Sequence, residues 1–412
     1  MIGRGVRAGI AGLVLLTAGF LAPPAWAATF AITTTFPTSG TSWPAYSNGF
    51  LVQASDSNVY LFDGATNALA HTIPTTGALS PQHTAVIGST VYIANQGSSS
   101  VTVVNTATHT ASVLSTPTCS DPEQLLVVST RIYVTCTGNA RVIVLNSTNN
   151  TVSTTLTVGS LPRRPSFAGG YVYVPNENAN TVSVIADGPT PSVTATTPVG
   201  AMPVGTTAYG SKAYVFNFSA ASVSVLQGTS VVSTIVVGNS PQDGTPCGNY
   251  VVVANRASGS ASFIDPTSDS VAMTVSGVGG SVTHVVRANS GFAYFGDYSA
   301  NTVTAVDCST GALAGSITVS SPWGMAFDGP GTGYFPPYVA SPIAVAQLPS
   351  SSAGSVGAPP PPWLRQTARE PDSACESGWN PSWAHWPHGY TGGWVCTQTL
   401  VWSSSLSRYV LE

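Results

Sequence analysis

The chain has 412 residues, only 7% of them charged, and a formal net charge of -4. With 12 Lys and Arg in all, and Lys212 the sole lysine, it lacks the basic surface that nucleic acid or an anionic membrane face requires. Its length alone suggests two or three domains, but a regular repeat overrides that expectation.

The first 27 residues read as a secretory signal peptide. Arg4 and Arg7 give a positive start, an apolar run follows from Ala8 to Ala22, and Ala25-Trp26-Ala27 is a small-x-small cleavage site. The apolar run is short of the ~20 residues that cross a bilayer. No Cys follows the cleavage site and no second hydrophobic span occurs, so the mature chain is expected to be exported, without a membrane span.

From there to residue 349 one unit recurs. The stretch from Tyr171, YVYVPNENANTVSVIADGPTPSVTATTPVG, holds three short runs of alternating, β-branched residues separated by Asn, Gly and Pro turns. Runs like its first begin at Phe50, Val91, Ile132, Val172, Ala213, Val251, Ala293 and Gly333, spaced 38 to 42 residues apart. Runs like its second begin at Val59, Val101, Val142, Val182, Val223, Ala261, Val303 and Ile343. A further run precedes each pair, as at His83 or Thr206, and another follows, as at Ala111 or Val232.

A period near 40 with four strands per unit predicts an all-β fold, a β-propeller of eight four-stranded blades. Seven blades is the alternative if residues 42–63 are irregular, because the first unit is the least repeat-like. The last unit supplies three strands and stops, while an orphan strand, TFAITTTFPT from Thr29, stands at the mature N-terminus. That strand is expected to complete the last blade and close the ring.

The pattern Tyr-Val-x-Asn, a polar turn, Thr-Val-Ser-Val-Ile and a Val-Gly-x-x-Pro link resembles the YVTN-repeat family of β-propellers. VYVPNENANTVSVI, VYIANQGSSSVTVV and the link from Val236 to Pro241 carry the resemblance, which spans roughly residues 29 to 349. It implies a secreted or cell-surface propeller. Related propellers include lactonases and lyases, so the fold does not assign chemistry.

Links between blades, and loops joining second to third strands, are expected to share the face around the mouth of the central channel. Nine or ten residues before each second-strand Tyr, or its equivalent, stand His83, Gln124, Arg164, Gly205, Asp243 and His284, with Gly324 following in the last unit. Glu177, Arg256, Asp297 and Tyr298 belong to loops on the same face. Such a set can bind an anion, polarise a carbonyl or, under an enzyme reading, ligate a divalent metal; no other cofactor is expected. The bland alternative is that these polar residues hydrate a wet channel. No His-Glu-x-x-His or Gly-x-Ser-x-Gly motif supports hydrolysis, and His71 and His109 fall in or near outer strands.

Six cysteines fit an oxidising compartment. Cys119 and Cys136 flank the inner strand of the third unit, and Cys375 and Cys396 pair within the tail. Cys247 and Cys308 are left as the third candidate pair, at one face of adjacent blades, where a bond would have to close a difference in expected radius. Residues 350–362 form a Ser/Gly/Pro linker, and residues 363–412 a Trp-rich module too small to fold without its disulfide. Its Trp residues are core, or expose a glycan platform at Trp383, Trp386 and Tyr390. The expectation is an exported binding or surface-interaction protein with a protein, glycan or cell-wall partner. A propeller lyase or lactone hydrolase, and a structural coat component, are the alternatives.

Overall fold

The computed structural model describes residues 31–36, 42–280, 282–289, 291–322, 324–328, 331–335 and 343–348, with strand backbone at 380–384, 393–397, 400–403 and 408–411. The signal-peptide residues and the linker lie outside that set, as do Cys375, Trp386 and Tyr390 and the side chains of Trp383 and Cys396. In the tail, Asn380–Ala384 pairs with Gly393–Thr397, and Leu400–Ser403 with Arg408–Leu411.

Eight four-stranded antiparallel sheets form the blades of a propeller. The first unit is regular: Ala45–Ser47, Phe50–Ala54, Asn58–Asp63 and Leu69–Pro74 form blade 1, so the count is eight rather than seven. In blade 8 the strands Ala326–Phe327, Thr332–Phe335 and Ile343–Gln347 are joined by Ala31–Phe36, which runs antiparallel from Ala31↔Gln347 to Phe36↔Ile343. The chain's first described strand is thus the outermost strand of its last blade, as the orphan run at Thr29 implied.

The core is a ring of eight separate clusters, one at each interface between neighbouring blades. Alternation along the strands explains this. In Tyr171–Asn176, Val172 and Val174 point into the cluster shared with blade 3, while Tyr173 points into the cluster shared with blade 5. Each such side chain contributes about 1.5–3 kcal/mol when fully buried, but only if a neighbouring blade covers its face. Outer strands need no such cover, and Ser192–Pro198 and Ser270–Ser276 alternate exposed and half-buried residues.

The second-strand tyrosines of blades 2 to 5 also tie each of those blades to the next. Tyr92, Tyr133, Tyr173 and Tyr214 are fully buried. Their hydroxyls donate to Asn150 Oδ1 at 2.8 Å, Asp187 Oδ1 at 2.5 Å, the Gly228 carbonyl at 2.9 Å and Asp269 Oδ1 at 3.0 Å. Every acceptor lies in the turn between the third and fourth strands of the following blade. Burial first, and then the Asp187 or Asp269 hydrogen bond, pushes the Tyr133 and Tyr214 hydroxyls well above the usual tyrosine range. Arg131 and Lys212 reach the same two carboxylates, at 3.1 and 2.7 Å.

Two parts of the repeat motif meet in one contact. Asn176, Asn217 and Asn255, each ending a second strand, are fully buried and donate to paired hydroxyls on the third strand, such as Ser222 and Ser224 at 3.1 and 2.9 Å. Their carboxamides lie against the glycines of the Val-Gly-x-x-Pro links. A Cβ on Gly159, Gly200 or Gly238 would fall 2.5, 2.7 or 2.8 Å from the facing Asn. In blade 3, Cys136 takes the Asn position and bonds Cys119. In blade 7, Asp297 takes it and accepts the Ser299, Ala300 and Gly280 N–H groups.

Cys247 and Cys308 are bonded, with Cα atoms 5.8 Å apart, so the third candidate pair closes despite the difference in radius expected of its two strands. The inner strand of blade 6 and the third strand of blade 7 pack their ends into one inter-blade cluster that contains both cysteines. Among the described residues no cysteine is free.

The Gly–Asn contact predicts a non-additive pair. Gly200→Ala should destabilise the protein by about 1–3 kcal/mol through overpacking, and should cost at least ~1 kcal/mol less when Asn217 is already Ala. Urea unfolding of the two single variants and the double variant measures this; strictly additive losses would contradict it.

Candidate functional site at the channel mouth

The inner strands of blades 2 to 7 are irregular where they enter the channel mouth. Pairing slips between Pro81 and Thr84, Pro122 and Leu125, Pro203 and Gly205, Pro241 and Asp243, and Val282 and Val286, and in blade 4 it shifts between the Pro162↔Asn176 bridge and Ser166↔Tyr173. Such bulges re-aim side chains. They fall at the positions singled out in the sequence, and in blades 3, 4 and 6 they turn two successive residues toward the mouth.

A cavity of about 230 Å³ opens there. Blade 3 contributes Glu123 and Gln124, blade 4 Arg163, Arg164 and Glu177, and blade 5 Met202, Val204 and Phe218. Blade 6 supplies Gln242, Asp243 and Arg256, and Trp43 enters from the start of blade 1.

Charge pairing organises the walls. Arg163 Nη1 donates to both oxygens of Glu123, at 3.1 and 2.9 Å, and its Nε donates to Glu177, so one guanidinium holds two carboxylates from adjacent blades. Burial opposes the Arg163 charge, but Glu123 and Glu177 outweigh it and hold the group above the usual arginine range. Arg164 crosses blade 5 to pair with Asp243 on blade 6. Gly205 leaves the way open, since even a Cβ there would sit only 3.5 Å from the Arg164 guanidinium. Asp243 is 2% exposed and also accepts the Gly244 N–H at 2.5 Å. Arg256 is half-buried and makes no ion pair among the described residues.

Five sequence candidates therefore line one cavity: Gln124, Arg164, Glu177, Asp243 and Arg256. His83 does not join them. Its ring packs against Trp43 with centroids 4.9 Å apart, and its Nδ1 faces the Leu125 N–H at 3.4 Å. Asp297 is buried against its own loop. Tyr298 is half-exposed outside the cavity, and His284 lies on the inner strand Val282–Asn289, its side chain outside the described set. Among the described residues no three His, Cys, Asp or Glu groups cluster to hold a metal ion. His71, on the outer strand of blade 1, and His109, in the turn before the outer strand of blade 2, stack with ring centroids 3.7 Å apart and do not line the cavity.

Sequence reasoning missed Glu123 and Arg163, the immediate predecessors of Gln124 and Arg164. The signal was present in the doublets Glu123-Gln124 and Arg163-Arg164, but counting one residue per blade passes over a bulge that presents two.

The fold and this mouth define a β-propeller. Solved structures of the same architecture include the computationally designed Ika8 protein, at TM-score 0.65 and 13% identity over 77% of this chain and 98% of that one. BamB from Moraxella catarrhalis matches at TM-score 0.58 and 10% identity, over 78% and 100%. A catalytically inactive virginiamycin B lyase from Staphylococcus aureus, solved with Quinupristin, matches at 0.55 and 14%, over 66% and 96%. At such identities the likeness carries the fold alone. No family model matches the chain and no curated protein matches it by sequence, so the YVTN-repeat resemblance rests on its motif residues.

Removing Arg164 should break the ion pair of a nearly inaccessible carboxylate. Arg164→Ala is expected to cost on the order of 3–5 kcal/mol, and adding Asp243→Ala should recover part of that loss. Thermal and urea unfolding decide it. Equal stability of wild type and Arg164→Ala would show that the pair does not hold the wall.

Proposed function

We propose that this chain is an exported β-propeller binding protein that captures its ligand at the channel mouth, on blades 3 to 6. The observation that carries the reading is the cavity itself, whose charged walls come from three separate blades and are positioned by ion pairs, two of which cross blade boundaries. Pockets with a few convergent polar groups over apolar walls are the usual form of a ligand site. Two disulfides fit an oxidising compartment, and among the described residues no helix is long and apolar enough to cross a membrane.

Binding is favoured over a lyase or hydrolase because the described acids of the mouth are held by arginines, while the His83 Nδ1 faces a backbone N–H. A general base needs a lone pair within reach of substrate. The Trp383, Trp386 and Tyr390 platform is a separate proposal for the tail, and recognition at the mouth does not depend on it.

Gly205→Leu supplies the test, because its Cβ meets only ordinary contacts while the rest of the side chain would crowd the Arg164 side of the cavity. Ligand-observed NMR with a library of small polar fragments should find binders to the wild type whose signals disappear with Gly205→Leu. No binders, or binders indifferent to that substitution, would contradict a ligand site at the mouth.

A further inference from the structure

The residue that follows the end of the second strand occupies one rim position in successive blades: Glu177 in blade 4, Phe218 in blade 5 and Arg256 in blade 6. All three line the cavity. The rim therefore reads carboxylate, aromatic, guanidinium in that order.

The ion pairs make this arrangement dipolar. Glu123 and Glu177 share the single charge of Arg163, which leaves the wall of blades 3 and 4 with one excess negative charge. Arg164 and Asp243 cancel each other. Arg256, two blades from Glu177, has no ion-pair partner among the described residues and makes a positive pole. Between the poles lie Met202, Val204 and Phe218, which are apolar, beneath an opening that Gly205 does not fill. The six charged side chains sum to zero, so neither an anion nor a cation alone matches the site.

We propose that the mouth binds a small zwitterion of the amino-acid or short-peptide type. Its carboxylate pairs with Arg256, where planar guanidinium geometry allows two parallel hydrogen bonds. Its ammonium lies toward Glu123 and Glu177, and its apolar side chain packs over Phe218 and Met202. A cavity of about 230 Å³ has room for a ligand of that size and little more. The inference rests on the reading of the mouth as a ligand site and adds the class of ligand.

Leucine, leucinamide and N-acetyl-leucine separate the charges, and calorimetric titration of the full chain with each reads them. Leucine should bind at least tenfold more tightly than either derivative. Arg256→Gln should abolish the preference for leucine over leucinamide while leaving that over N-acetyl-leucine. Arg141→Gln, which alters an arginine outside the cavity, should change neither, and circular dichroism confirms that each variant is folded.

Equal affinity for the three compounds, no binding of leucine, or a leucine preference indifferent to Arg256→Gln would overturn the zwitterion. If fragments are lost with Gly205→Leu yet show no charge preference, the zwitterion fails and the mouth remains a binding site. Leucine binding that survives Gly205→Leu would place it elsewhere and remove both.

Discussion

Strands that are apolar on both faces cannot be left uncovered on either. Val172 and Val174 face one neighbour and Tyr173 the other, and the same division recurs around the ring. A single sheet of this kind has no stable solution in water, and a linear stack leaves two ends bare. Closing the stack into a ring covers every face, and the eight clusters at eight interfaces are that solution. The N-terminal strand in blade 8 locks the two ends of the chain into one sheet.

The same ring creates the mouth. Inner strands crowd around the channel, and their pairing slips as they enter it, which turns side chains away from the ladder and toward the axis. Ion pairs then run between blades as the tyrosine hydroxyls do at the opposite end of the sheets: Arg163 joins blades 3 and 4, and Arg164 spans from blade 4 to blade 6. Site geometry and ring geometry are consequently coupled, since moving one blade would shift its charges relative to the others.

Much of the architecture was legible because hydrophobic burial leaves a periodic trace. Second and third strands repeat in register from Phe50 to Ile343, and the leftover strand at Thr29 has one vacancy to fill. The Cys119–Cys136 bridge was also readable, because both residues flank one strand. The Cys247–Cys308 bridge was readable only as the pair left over, because its closure depends on the packing of two blades, which no count along the chain reports. The Asn of one motif and the Gly of another looked independent until their contact appeared. At the mouth, period counting found Arg164 and Asp243 but passed over Glu123 and Arg163, because a bulge breaks the period where the site lies.

The central claim is that no blade is stable without both neighbours, so the ring should open as one unit. Native-state hydrogen exchange of the whole chain, read by mass spectrometry, tests it directly. Amides of the second and third strands in all eight blades should share one slowest exchange class, with the outer strands exchanging faster. A single blade whose second and third strands exchange early, while its neighbours stay protected, would contradict the account.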